Sequence, residues 1–151
     1  MATKSNALLI LQAYGQVKRL STELATRCFK PVGLGPLQAG LVRRMGEQGT
    51  TSLADLARLM ALDPAAVGRA VDTLIKKGWV QRIDHPSDRR RWQVSLTPKG
   101  LELLAEVQAE YRQIAQRFTA HLTPAEQATL LGLLTKIGSG LEQEAQRKGR
   151  P

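Results

Sequence analysis

Residues 53–97 constrain the fold more than any other stretch, because two short helical patterns, a charged break and two alternating runs follow one another there in a fixed order. Leu53, Leu56, Ala57, Leu59 and Met60 recur at steps of three and four, which lines them along one side of a short helix. Asp63 can accept hydrogen bonds from the free amides that open a second helix. Pro64 fits the first helical position, where its missing N–H has no partner to lose. The inward positions of this second helix are Val67, Ala70, Val71, Leu74 and Ile75, which leaves Ala65, Ala66, Gly68, Arg69, Asp72, Thr73 and Lys76 wholly or partly outside. Lys76 and Lys77 suit the negative end of the helix dipole, and Gly78 stops the helix. Two short helices joined by a tight turn make a helix-turn-helix, whose second helix enters the DNA major groove with its N-terminal residues toward base edges. Residues 80–83 then alternate, 84–91 are charged and turn-forming, and 92–96 alternate again, which predicts a β-hairpin with a long loop.

On that frame the outer face of the second helix is the candidate reader. Arg69 sits near enough its start to touch a base edge or a phosphate, and Thr73 and Lys76, one and two turns on, are placed for phosphate. Ala65 and Ala66 could meet a thymine methyl, and Gly68 shares their face. At the hairpin tip Arg89, Arg90 and Arg91 could reach phosphates or the narrow, negative minor groove. For Arg43 and Arg44 ordinary surface charge and phosphate contact are equally open.

The runs Lys76-Lys77-Gly78-Trp79-Val80, Asp84-His85-Pro86-Ser87-Asp88-Arg89-Arg90 and Val94-Ser95-Leu96-Thr97-Pro98-Lys99-Gly100 resemble the signature of MarR-type transcriptional regulators. Asp88-x-Arg90, followed by a strand and then Leu96-Thr97-x-x-Gly100, is the specific part of that likeness. The resemblance extends over nearly the whole chain. It implies a mostly α fold with a small β-hairpin wing: a winged helix-turn-helix DNA-binding lobe plus a helical dimerisation region formed by the N- and C-terminal helices. It further implies a wing in which Arg90 meets DNA while Asp88 orients the loop. Such regulators usually repress, and leave DNA when a small aromatic or phenolic anion enters the crevice beside the DNA-binding lobe; here Tyr14, Lys18 and Trp79 are the candidates to line it. The chain departs from the family at Ala65-Ala66, where Ser-Thr is common, and at Gly68, where a polar residue is frequent, so direct base readout there is expected to be thinner.

The charge balance agrees with a polyanionic partner. Twenty-two basic and 13 acidic residues give +9. Residues 1–41 hold five basic against one acidic, 42–91 ten against six, and 92–151 seven against six, so the excess sits where the proposed DNA-facing elements fall. Aromatic residues are only 4% of the chain, and the apolar content is mainly aliphatic, which suits helices packed through aliphatic seams. No apolar run reaches the ~20 residues of a membrane span. Nor does the N-terminus read as a secretory signal, so a cytoplasmic protein is expected. The lone Cys28 excludes an intrachain disulfide. It could be a peroxide-sensing thiol, as in one branch of the resembling family, but it falls near the end of the first helix rather than the beginning, and a packed cysteine is the favoured reading. His85 and His121 are too isolated to ligate a metal. With no paired carboxylates, activated nucleophile or phosphate loop, neither enzyme nor cofactor is expected.

Outside the central stretch the chain reads as long helices. Residues 8–30 carry Ile10, Tyr14, Val17, Leu24 and Cys28 on one seam with Ser21 as its polar gap. A second helix is expected from Leu37, with Leu41, Val42 and Met45 inward and with Gly46 and Gly49 ending it; Thr51 and Ser52 are candidate caps for the next. After the hairpin, Thr97 and Pro98 start a helix with a seam at Leu104, Val107, Tyr111, Ile114 and Phe118. Thr123 and Glu126 form a capping box before Leu130, Leu134, Ile137 and Leu141, with Leu131 and Leu133 widening that stripe. Three seams of this length exceed what one small chain can cover, which predicts a homodimer built by the terminal helices. The expected organisation of residues 1–151 is therefore a DNA-binding lobe at 36–96 and a helical dimerisation region at 7–30 and 98–147. Double-stranded DNA, read as a palindrome by the pair, is the expected partner. The rivals are a ligand-independent or architectural DNA binder, and a winged-helix module used for protein or RNA contact.

Overall fold

Local chemistry sets most helix starts. Asp63 Oδ2 accepts from the Ala66 amide at 2.9 Å and Pro64 fills the first turn, so a helix begins there as the sequence predicts. Ser52 Oγ accepts from the Asp55 amide at 3.1 Å, and Thr97 Oγ1 accepts from the Gly100 amide at 3.0 Å. Thr123 and Glu126 close the capping box reciprocally, with Thr123 N–H donating to Glu126 Oε2 at 2.8 Å and Glu126 N–H to Thr123 Oγ1 at 3.3 Å.

The computed structural model describes residues 5–85 and 87–148, and within them all side chains except those of residues 85, 88–91 and 148. In chain order the elements are α1 (Asn6–Phe29), a 3-10 turn (Lys30–Val32), α2 (Pro36–Gln48), α3 (Leu53–Met60), α4 (Pro64–Lys76), β1 (Val80–His85), β2 (Asp88–Leu96), α5 (Pro98–Thr119) and α6 (Pro124–Lys148). The chain divides into two compact units, Met1–Ile114 and Ala115–Pro151.

The core of the first unit is aliphatic. Leu41, Val42 and Met45 of α2 meet Leu56 of α3, Val67, Val71 and Leu74 of α4, Val80 and Val94 of the hairpin, and Leu103 and Val107 of α5. Full burial of each large side chain contributes about 1.5–3 kcal/mol. The inward residues expected on α4 are the ones found, with Val67, Ala70, Val71 and Leu74 buried and Ile75 partly so. Gly78 ends that helix region at φ 77°, a left-handed conformation that glycine adopts freely. Ala61, which closes α3, takes a left-handed conformation (φ 50°) despite its Cβ. That is a local strain of about 1–2 kcal/mol, which the surrounding packing must offset.

Several expectations need correction. The hairpin does not have a long loop over 84–91: the strands run on to His85 and resume at Asp88. Register proceeds from Val80↔Leu96 through Asp84↔Trp92 and then shifts to His85↔Asp88, so Arg89, Arg90 and Arg91 occupy the irregular part of β2. Gly46 lies inside α2 rather than at its end, because its bare Cα gives room to the Leu104 side chain, into which a Cβ would project; Gly49 is the cap. Thr51 is no helix cap. It is buried and exchanges two backbone hydrogen bonds with Val94, at 3.0 and 2.8 Å, adding a one-residue third rung beside the hairpin. The seam of α5 is shifted, with Leu103 and Val107 deepest and Leu104, Tyr111 and Ile114 packed at its margin, while Phe118 is exposed. Phe29, one residue beyond the expected α1 seam, is fully buried and meets the Tyr111 ring edge-on at 5.0 Å. The expected α1 seam itself stands open at Ile10, Tyr14 and Val17, as a seam too long for one chain to cover would, while the helix end at Cys28 and Phe29 is buried. Among the described residues no helix is long and apolar enough to cross a membrane.

Candidate nucleic-acid interface

The outward face of α4 is held by its inward one. Burial of Val67, Val71 and Leu74 fixes the helix's rotation, and that rotation places Arg69 and Lys76 fully at the surface with Ala66, Gly68 and Thr73 partly exposed. Ala65, in the first turn, is exposed as well. Asp72 lies between the two cations on the same exposed side.

Which cations are free to meet a polyanion is decided by their partners. Arg43 and Arg44 both bind Glu47, at 2.8 and 2.9 Å, and Arg43 also lies 5.1 Å from the centre of the Tyr111 ring. Arg58 binds Asp55 at 2.8 Å, and Arg82 binds Asp72 at 3.2 Å. Arg69 and Lys76, by contrast, have no ion pair among the described residues. Thr73 turns its hydroxyl back to the Arg69 carbonyl at 3.1 Å, which leaves its oxygen lone pairs facing out.

Beside these residues runs an open groove of about 420 Å³. Ala66, Arg69, Ala70 and Thr73 of α4 form one wall, and Gly35 and the first residues of α2 (Pro36, Leu37 and Gln38) form the other. Gln38 folds its side-chain oxygen back onto the Gly35 amide at 3.1 Å, so part of the free end of α2 is already satisfied. Arg69 is the charged residue of this otherwise mostly apolar, shallow groove along the start of α4. Sequence reasoning placed Arg69 there and missed the wall from α2, because nothing local joins residues 35–38 to residues 66–73.

The wing is positioned by its base. Val80 and Val94 are buried opposite α4, and Arg82, Asp84 and Trp92 continue the same side of the ribbon outward. The side chains of Asp88, Arg89, Arg90 and Arg91, expected to orient the wing and to touch DNA, lie outside the described residues. Asp55 is held below the usual carboxylate range first by the Ser52 hydroxyl and then by Arg58. Among the described residues no cluster of His, Cys, Asp and Glu is built to hold a metal ion.

The residues expected to line an effector crevice are placed apart in character. Tyr14 and Lys18 are exposed on α1, whereas Trp79 is half-buried against the core, with the Lys77 ammonium 4.9 Å from the centre of its ring. Lys77 also donates to the Gly33 carbonyl at 3.0 Å, tying the end of α4 to the bend after α1. Cys28 is buried.

A helix pair with an outward basic second helix, followed by a hairpin packed on the same core, defines a winged helix-turn-helix protein of the DNA-binding class. Comparison with known proteins gives the family. Residues 36–92 match the model of the MarR family. The chain is 30% identical over 122 residues to the multiple antibiotic resistance protein MarR of Salmonella typhimurium, covering 80% of this chain and 85% of that one. It superposes with a TM-score of 0.80 and 25% identity on a mutant MarR from E. coli solved with operator DNA, over 90% of this chain and 99% of that one. It superposes equally, at 0.80 and 25%, on BpsR of Bordetella bronchiseptica, whose DNA binding is regulated by 6-hydroxynicotinic acid, over 86% and 98% of the two chains. The protein belongs to the MarR family and is a DNA-binding transcription regulator. The family is one of regulators rather than enzymes.

Proposed function

We propose that the protein acts as a homodimeric repressor, which binds a palindromic operator and leaves it when a small aromatic or otherwise anionic effector binds. The observation that carries the DNA half is the pairing pattern of the cations: Arg69 and Lys76 on the outer face of α4 are free of ion pairs among the described residues, while Arg43 and Arg44 share Glu47, and Arg58 and Arg82 each pair with a carboxylate. Arg69 is the base or phosphate contact, with Ala65, Ala66 and Gly68 against the groove floor and Thr73 and Lys76 on the backbone. The wing contributes Arg89, Arg90 and Arg91, with Asp88 orienting them.

The exposed apolar stripes on α1 and α6 support the dimer. Ile10 and Val17 on one, and Leu131, Leu134, Ile137 and Leu141 on the other, are more solvent-exposed than a lone soluble chain favours. Two such subunits would set their α4 helices about one DNA turn apart, ~34 Å, and binding both half-sites together raises affinity without new contacts. BpsR is regulated by an aromatic acid, and that supports an effector of the same chemistry here, with Tyr14, Lys18 and Trp79 as its lining residues. Such a ligand releases DNA only if it prefers the arrangement whose recognition helices are wrongly spaced.

The test is selection of bound fragments from random duplex DNA, followed by titration of the selected duplex with Arg69→Ala. Loss of one good contact should weaken binding by ~1–3 kcal/mol, roughly 5- to 150-fold. Wild-type affinity that does not depend on salt, or Arg69→Ala binding as tightly as wild type, overturns the reading. Aromatic acids that fail to displace the duplex leave a ligand-independent repressor.

A further inference from the structure

We propose that Asp72, Arg82 and Trp92 form a brace that fixes the angle between the recognition helix and the wing, making Asp72 and Arg82 positioning residues for DNA binding. This rests on the DNA-binding reading above. The hairpin emerges from the core at the Val80 and Val94 level, since both side chains are buried. Arg82 is opposite Val94 in register and two residues further out than Val80 on the same side, and Trp92, opposite Asp84, is its diagonal neighbour across the ribbon. The guanidinium carbon of Arg82 lies 3.9 Å from the centre of the Trp92 ring, and one terminal nitrogen donates to Asp72 Oδ1 at 3.2 Å. One side chain therefore touches both strands of the wing and the exposed face of α4, reaching from the last level held by a buried residue, Val94, to Trp92 at the next level out.

As a contribution to folding this contact is small. Both ionic partners are more than half exposed, at 54% and 53%, and solvent screens such pairs. Its effect is geometric. Without the brace, the outer part of the hairpin, which carries Arg89, Arg90 and Arg91, would have to be ordered when DNA binds, and that loss of freedom subtracts from affinity. Planar arginine stacks on indole and pairs with a carboxylate in the same conformation, which a lysine cannot reproduce.

Asp72 makes the proposal sharply testable because its charge has the wrong sign for its place. A carboxylate between Arg69 and Lys76 repels phosphates, so on electrostatic grounds alone Asp72→Asn should bind every duplex more tightly. If Asp72 holds Arg82, the same variant binds the selected duplex more weakly. The experiment titrates wild type, Asp72→Asn, Asp72→Glu, Arg82→Lys, Arg82→Ala and the Asp72→Asn/Arg82→Ala double variant against the duplex selected by wild type and against an unrelated duplex of equal length. Expected for Asp72→Asn is about a tenfold loss on the selected duplex, no loss on the unrelated one, and a melting temperature within about 4 °C of wild type. Asp72→Glu should recover part of that loss. Arg82→Lys should fall between wild type and Arg82→Ala, and the double variant should be little worse than Arg82→Ala. Asp72→Asn binding the selected duplex as tightly as wild type, or effects of the two residues that simply multiply, overturns the brace. Wild-type protein that selects no duplex at all overturns the DNA-binding reading and the brace with it.

Discussion

Helices α4 and α6 carry the same kind of pattern and meet opposite fates. On α4, Val67, Ala70, Val71 and Leu74 recur at steps of three, one and three and are all buried, because α2, α3 and β1 surround that side of the helix. On α6 the spacing is as regular, yet Leu131 is 68% exposed and Ile137 51%. Periodicity declares which face of a helix is apolar and says nothing of what will cover it. The proposed function requires both outcomes: one helix whose rotation is fixed by its own chain so that a polar face can read, and others whose apolar faces are left for a second subunit.

The contrast can be broken or sharpened by substitution. The largest expected effect is at Leu74, fully buried on α4. Leu74→Ala should lower the unfolding free energy by ~2–5 kcal/mol in urea titration, through lost transfer energy and the cavity left behind. A cost below ~1 kcal/mol would mean that the α4 core is not what fixes the reading face. Next in size is the double variant Leu134→Glu/Ile137→Glu. Placing like charges within the α6 stripe should halve the mass seen by sedimentation and weaken binding to a palindromic duplex by ~100-fold, through loss of paired half-sites. An unchanged mass would remove the α6 stripe from the proposed dimer contact. The smallest effect is on the start of α6. Glu126 is held below its usual value first by the Thr123 backbone amide and then by the Thr123 hydroxyl. A depressed carboxylate contributes stability that is complete above its unfolded pKa and is lost as pH falls through its folded one. Amide chemical shifts of Thr123 and Glu126 should therefore hold steady down to about the ordinary value of 4.5 and move below it. In Glu126→Gln that step should vanish.

Where a boundary depends on residues within one turn, the sequence was enough. Asp63-Pro64, Thr97-Pro98 and Thr123-Glu126 start helices where such residues should, because cap and amide lie three positions apart. The exposed set on α4 followed as well, since burying Val67 and Leu74 leaves Arg69 and Lys76 one rotation to adopt. The unforeseen features are contacts between distant segments. Thr51 looked like a cap until Val94 supplied backbone partners from 43 positions away. Gly46 looked like a terminator because the side chain that needs its space, Leu104, belongs to another helix. The hairpin came out longer than its charged composition suggested, since backbone pairing tolerates exposed charge on both faces of a protruding ribbon. Arg82 drew no notice as one arginine in an alternating run; its meaning depends on Asp72 and Trp92 arriving at the same place.

Thr97 joins more than it appears to from its role as a cap. Its hydroxyl donates to the Gly78 carbonyl at 2.7 Å while accepting from Gly100, and its amide donates to the Trp79 carbonyl at 3.0 Å. Gly100 must lack a Cβ, because the Trp79 carbonyl occupies the space one would fill. The family model itself matches only as far as residue 92, short of both. A fragment excised at that limit would keep every residue proposed here to touch DNA and still strand two carbonyls at the exit of the reading helix, along with the surface that Leu103 and Val107 occupy. The physical edge of the DNA-binding lobe therefore lies inside α5, a helix otherwise assigned to joining subunits.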